Sequence, residues 1–377
     1  MKSRRHSRHE PWRIGVLFSQ TNTTSEVERT QLCGTLLALD EINAAGGVNG
    51  REIVPVIYEP GSSSASYVYL AKRLILEEGV TSIFGCYTSA SRKAILPMLE
   101  RFNGLLWYPT PYEGFEESPN MIYTGAAPNQ TITQLCSYLL HTYGTRFFLI
   151  GSDYVYPRRT NLFMKEYLQS HGGEVVGERY LDIQAPRLAY LPILRAAKEV
   201  GVDVIFSTVV GDGTSHLYQT YADLGLDPTR TPIASLTTTE AEIHAMGCEV
   251  AAAHITSACY FESLGNEANA AFVSRFKKRF GDHVTPNVCA ETAYFQIFLF
   301  AQALAQADSM DTDELRPHVL GSCCEAPQGR VSISASGHAD LLPRIGRANH
   351  AGGFDIMVDS DAPVAADPFF ICGPVTG

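Results

Sequence analysis

Residues 80–111 read VTSIFGCYTSASRKAILPMLERFNGLLWYPTP. Val80–Tyr87 is a short run rich in apolar and β-branched residues, the signature of a buried strand. Ile95, Leu99 and Phe102 then fall at helical spacing and give one apolar face. Leu105–Thr110 returns to a strand, stopped by the prolines at 109 and 111. Strand, helix and strand in about 30 residues make a βαβ unit, which implies parallel pairing and a right-handed crossover.

The same alternation runs outward in both directions. Before it lie a strand at Arg13–Ser19, a helix carrying Leu32, Leu36 and Leu39, a strand at Glu52–Tyr58 and a helix carrying Tyr67, Leu70 and Leu74. Ser25 and Glu28 have the spacing of a capping box, and Gly46-Gly47 has the chemistry of a helix stop. After it come strands at Met121–Gly125, Arg146–Tyr154, Glu174–Tyr180, Asp203–Val210, Thr231–Leu236 and His254–Phe261, with helices between them. Two further helices follow near Glu267–Phe280 and Cys289–Ala307, and short strands and turns from Gln328 onward. Some ten strands in two runs predict an α/β protein of two doubly wound, parallel-sheet lobes with a ligand cleft between them. The chain, at 377 residues, has the length for two such lobes.

Hydrophobic residues make up 45% and charged residues 18%, an ordinary globular composition. The formal net charge of −11, without a basic stripe, argues against direct nucleic-acid binding. Nine cysteines without a CxxC pair read as reduced, mostly buried thiols, neither a disulfide frame nor a metal site. The leader MKSRRHSRHEPW is basic and polar, and the apolar stretch after it is shorter than a signal-peptide core. No window is expected to reach the length of a membrane span. These points predict a cytoplasmic protein; an upstream start would make it periplasmic.

In such sheets ligands bind beyond the carboxyl ends of the strands. Those ends read GCYTS (85–89), WYPTPYEG (107–114), GSDYVYP (151–157), STVVGDG (207–213), SLTTTE (235–240) and ACYFES (258–263). They carry no histidine, so a Ser–His–Asp set lacks its base. A Cys86–Lys93–Glu113 amidase set can be drawn, but strand alternation turns Cys86 away from Tyr87 and toward the core. No Walker A, GxGxxG, GxSxG or HExxH sequence is present. The expectation is therefore no catalytic residue, no cofactor and no metal. What the ends offer is neutral polar recognition. Ser89, Thr110 and Thr237 supply hydroxyls. Tyr87, Tyr108, Tyr154 and Tyr156 supply flat walls with a polar tip. Tyr154 and Tyr156 fall on one face by period two, Ser89 is also placed to cap the following helix, and Glu240 reads as a solvated first-turn carboxylate. A primary amide satisfies such groups without the burial of an ion, which would be costly. An amino acid would need an acid for its ammonium, and only Asp153 and Glu240 offer themselves.

GCYTSASRKAILPMLE, WYPTPYEGFEESPNMIYTGAAPNQ, GSDYVYPRRTN, FSTVVGDGT and IASLTTTEAE resemble the amide-sensing negative regulators of aliphatic amidase operons, and the related urea and short-chain amide receptors of transport systems. The likeness runs from about Arg13 to about Ile333, and loosely to Asp367-Pro368. YPTPYEG with SDYVYPR carries it; either motif alone points only to the wider branched-chain amino-acid receptor fold. The resemblance implies a type I periplasmic-binding fold with three crossings between lobes: 12–126 plus 260–327, and 127–259 plus 328–370, after a basic leader at 1–11. It implies amide contacts from Tyr87, Ser89, Tyr108, Thr110 and Tyr154, with Pro111 and Tyr156 lining the pocket. It further implies an RNA-binding antiterminator protein as partner for the regulator, or an ABC transporter for the receptor; a homo-oligomer is compatible with either.

Acetamide or urea has about four heavy atoms. At about −1.5 kcal/mol per atom, binding reaches about −6 kcal/mol, or tens of micromolar. Such a ligand shifts lobe closure only by its preference for the closed form.

Overall fold

The computed structural model describes residues 10–61 and 63–370. The leader up to His9 and Cys372 lie outside the described residues.

The first run is β1 (Trp12–Leu17), α1 (Ser25–Ala44), β2 (Ile53–Tyr58), α2 (Ser64–Leu76), β3 (Ser82–Gly85), α3 (Ser89–Phe102), β4 (Leu105–Tyr108) and β5 (Met121–Tyr123). Its five strands form a parallel sheet in the order β2-β1-β3-β4-β5. The second run is α4 (Pro128–Thr142), β6 (Arg146–Ser152), α5 (Val155–Ser170), β7 (Glu174–Leu181), α6 (Tyr190–Val200), β8 (Val204–Thr208), α7 (Asp212–Asp223), β9 (Ile233–Ser235), α8 (Glu240–Met246), α9 (Cys248–Ala251) and β10 (Ile255–Ala258). Helices α10 (Glu267–Phe280), α11 (Val288–Ala307) and α12 (Thr312–Val319) follow, then β11 (Cys323–Ala326), β12 (Gly329–Ile333), β13 (Ala339–Asp340), β14 (Arg344–Ala348) and β15 (Phe354–Val358). The second sheet has seven strands in the order β15-β14-β10-β9-β8-β6-β7. Its β14 and β15 pair antiparallel, an edge that the alternation of strands and helices did not announce.

The two lobes are thus two doubly wound α/β layers, as the alternation predicted. After β10 the chain returns to the first lobe: α1 packs along α11. Gly34 makes this close approach possible, since a Cβ there would lie 2.0 Å from the Ala290 carbonyl oxygen. The lobe boundary expected at 327/328 lies later. Val331, Ile333, Ala339 and Leu341 are buried in the core shared by α1, α11 and β1, so β11–β13 form a small three-stranded sheet on the first lobe. Only from Arg344 does the chain join the second sheet. The expected absence of a span-length window also needs correction. Helix α11, 20 residues long with a mean hydropathy of 1.3 over its most apolar 18, is long and apolar enough to cross a membrane. Here it is a core helix: Phe295, Ile297, Leu299, Phe300 and Leu304 are buried, with α1 on one side and α12 on another. The Ser25–Glu28 box is not formed either. Glu28 is buried and reaches back to the end of β1, accepting from Ser19 N (2.6 Å), Thr24 Oγ1 (2.6 Å) and Tyr67 Oη (3.0 Å).

Four buried titratable groups give stability a pH signature. Burial pushes the carboxyls of Glu240 and Glu291 up to about 8 from an ordinary 4.5. Burial also pushes His254 down to about 3 and His338 down to about 4 from an ordinary 6.5. Above pH 6.5 only the carboxyls act. The folded protein holds protons that the unfolded chain has released, so stability falls as pH rises toward 8. Between about pH 4.5 and 6.5 the unfolded chain gains protons on the two histidines, and the opposing pairs offset each other. Below that, the histidine loss remains. Urea unfolding should therefore show a plateau near pH 5–6.5 and a decline above it, to which Glu240 and Glu291 contribute up to about 2.7 kcal/mol per pH unit, two protons at about 1.36 each; burial also raises the carboxyls of Glu28 and Glu242, which act in the same direction. A stability maximum at pH 8 would contradict these environments.

Candidate functional site

The carboxyl ends of β3, β4, β6, β8 and β9 converge on one cavity between the lobes. The first lobe contributes Tyr87, Ser89, Thr110 and Pro111. The second contributes Tyr154, Tyr156 and Thr237. Seven of the eight residues expected from the sequence therefore meet at one place. Tyr108 does not line the cavity. It is fully buried one layer behind, where its hydroxyl donates to the Tyr87 carbonyl oxygen at 2.7 Å and braces the wall. The remaining lining comes from Val210, Leu236, Thr239, Val288 and Cys289, none of which was singled out from the sequence.

Local structure differs from expectation in three places. Thr88, not Ser89, caps α3: its side chain accepts from Ser91 N, and Ser89 is the first helical residue. Tyr154 is the cap position of α5 and Tyr156 lies in its first turn, so the two share the cavity by a helix start, not by strand alternation. Their rings sit 6.3 Å apart, tilted by 35°. Glu240 is buried, accepting from Glu262 N at 2.9 Å, and belongs to the wall of the second lobe rather than to solvent. The candidate acid Asp153 is half exposed and paired with Arg158 at 2.6 Å, away from the lining.

The polar atoms of the lining divide into occupied and free. Thr237 Oγ1 donates to the Val209 carbonyl at 2.7 Å, so its proton is taken. Thr239 caps α8 and donates to Glu242 at 2.6 Å. Thr110 Oγ1 accepts from Gln31 Nε2 at 3.0 Å and makes only a long contact, 3.4 Å, to the Cys86 carbonyl, which leaves its proton available. The Tyr156 hydroxyl is buried without a hydrogen-bond partner; the Thr160 hydroxyl, one turn along, lies near it outside bonding geometry. Ser89 Oγ is held from behind, donating to Glu113 at 2.5 Å and accepting from Arg92 at 3.1 Å. No lining residue is a carboxylate, ammonium or guanidinium, and burial pushes the Cys289 thiol well above its ordinary range. The other cysteine weighed for chemistry, Cys86, is buried in the core of the first lobe, its thiol pushed up by desolvation.

An orphaned buried hydroxyl is costly unless something fills its need. Tyr156→Phe should therefore act with opposite signs on two measurements. The empty protein should gain up to about 1 kcal/mol of stability, because an unsatisfied polar atom is removed. Ligand affinity should fall about tenfold. Thermal unfolding and calorimetry on the same preparation read both.

The lobes are closed over this cavity. Asp212 N of the second lobe donates to the Thr23 carbonyl of the first at 3.1 Å, and Phe115 of the first lobe stacks on Phe163 of the second at 5.5 Å. The cavity is small, about 20 Å3.

The family model described as the periplasmic binding protein domain matches residues 12–374. The Leu/Ile/Val-binding protein homolog 6 of Brucella suis is 24% identical over 296 residues, 76% of this chain and 75% of that protein. A limonene hydroxylase of Geobacillus stearothermophilus is 35% identical over 124 residues, which is 33% of this chain and only 23% of that protein. Among solved structures, an ABC-transporter solute-binding protein of Rhodopseudomonas palustris in complex with 3,4-dihydroxybenzoic acid superposes with a TM-score of 0.85, at 20% identity over 94% of this chain and 98% of that one. The branched-chain amino acid transporter substrate-binding protein of Streptococcus pneumoniae in complex with isoleucine gives 0.82, at 17% identity over 94% and 100%. With its two parallel-sheet lobes, its closed interlobe cavity and a family match over nearly its whole length, this chain belongs to the periplasmic binding protein family of type I fold.

Proposed function

We propose that the protein is a receptor for a small uncharged amide or urea, held between the lobes by hydroxyls and aromatic faces and not transformed. The observation that carries this reading is the lining itself: free polar atoms of both donor and acceptor kind, with no ionised side chain. A zwitterionic amino acid would bury two charges there without partners, at a cost of several kcal/mol each. A small cavity agrees with a ligand of about four heavy atoms.

Together with the YPTPYEG and SDYVYPR motifs, this supports a cytoplasmic amide sensor that restrains an RNA-binding antiterminator protein until amide binds. The family's many transport receptors favour a second reading, the substrate receptor of a urea or short-chain amide transporter. Isothermal calorimetry with acetamide, urea, leucine and benzoate tests what both share. Tens-of-micromolar binding of acetamide or urea, with no leucine or benzoate signal, is expected. Leucine binding in preference to amide would refute it. An antiterminator complex dissociated by acetamide separates sensor from transport receptor.

A further inference from the structure

Behind the cavity wall lies a buried charge network that the amide reading does not by itself require. Arg92 is fully buried, and each of its three guanidinium nitrogens has an acceptor: NH2 to Glu113 Oε1 at 3.0 Å, Nε to Glu116 Oε1 at 2.8 Å, and NH1 to Ser89 Oγ at 3.1 Å. Lys93 reaches Glu116 at 2.7 Å and Glu113 at 3.5 Å. Two cations and two carboxylates balance. The single member that touches both this network and the cavity is Ser89.

A serine hydroxyl has one proton and two lone pairs. A carboxylate can only accept and a guanidinium can only donate. The proton of Ser89 must therefore lie toward Glu113, and one lone pair must face Arg92. One lone pair remains, and it is the only capacity Ser89 can offer a ligand. We propose that Glu113 and Arg92 act as positioning residues that fix Ser89 as an acceptor. The site then takes ligands that bring an N–H to this point and rejects carboxylates and ketones of the same shape. This inference rests on the amide reading and sharpens it to a rule of selection. A carboxylate oxygen at Ser89 would meet a lone pair, with no proton able to turn toward it while Glu113 holds it.

Calorimetry with acetamide, acetone and acetate tests the rule, since the three are nearly equal in size. The wild-type protein should bind acetamide at least 100-fold more tightly than acetone or acetate. In Glu113→Gln the side-chain oxygen must face Arg92, which can only donate, so the amide N–H faces Ser89 and turns its proton into the cavity. Acetamide should then weaken at least tenfold and the acetamide-to-acetone ratio fall below ten. Acetone, being neutral, reports the reversed proton without the added charge that would also favour acetate. Wild-type binding of acetone or acetate within tenfold of acetamide overturns the rule while leaving the receptor reading intact. So does a folded Glu113→Gln protein with an unchanged ratio. If that variant does not fold, the wild-type series decides. No binding of acetamide or urea at any concentration overturns the amide reading and this rule together.

Discussion

Gly211→Ala should lower amide affinity by about 100-fold while each lobe keeps its own fold. Gly211 precedes α7 in the second lobe with φ 64° and ψ −146°, a backbone region that L side chains rarely enter. A Cβ there would lie 2.4 Å from the Thr23 carbonyl oxygen and 3.3 Å from Thr24 Cγ2, both on the first lobe. The next residue, Asp212, donates the interlobe bond to the same Thr23 carbonyl. An added methyl group is thus a wedge at the closure contact. It adds backbone strain of about 1–3 kcal/mol in either state, but the clash exists only when the lobes are shut. A closed-state penalty of about 2.7 kcal/mol corresponds to the stated 100-fold. Calorimetry and small-angle scattering should show weak binding and an open particle with or without acetamide. Unchanged affinity would mean that closure does not pass through this contact.

Ser89→Ala should weaken amide binding at least tenfold and destabilise the empty protein as well. Its hydroxyl lines the cavity and also completes the Arg92–Glu113 network. The variant removes a ligand contact and leaves one donor of Arg92 and one oxygen of Glu113 short of a partner at full burial. Hydrogen bonds to buried charged groups are each worth about 1.5–3 kcal/mol, so a loss of about 2–3 kcal/mol in urea unfolding is expected. Both readouts move down together, in contrast to Tyr156→Phe, where they move apart. Affinity that survives in Ser89→Ala would remove this residue from the site.

The architecture was readable because each element declares its period. Val80–Tyr87 and Leu105–Thr110 read as buried strands, and strands form within them at Ser82–Gly85 and Leu105–Tyr108, with the face of Ile95, Leu99 and Phe102 on the helix between them. What sequence could not resolve was depth. Tyr87 and Tyr108 stand at neighbouring strand ends and look equivalent; the hydrogen bond from one hydroxyl to the other's carbonyl puts only the first at the cavity. Tyr154 and Tyr156 reached the site although the spacing argument for them was wrong, because β6 stops at Ser152 and the helix start presents both. Val288 and Cys289 arrive from far along the chain. The local signal for them was Asn287, which caps α11 by accepting from Cys289 N and Ala290 N, both at 3.0 Å. Glu240 looked like a solvated carboxylate because helix starts are usually wet. Its burial depends on the Glu262 backbone, 22 residues on, and no local pattern records that.

A crystal of the full chain soaked in acetamide addresses the account most directly. The molecule should occupy the cavity with its nitrogen toward Ser89 and its carbonyl oxygen toward the hydroxyls of Tyr156 and Thr110. An empty cavity at saturating acetamide, or a charged ligand found there paired to an acid, would contradict it.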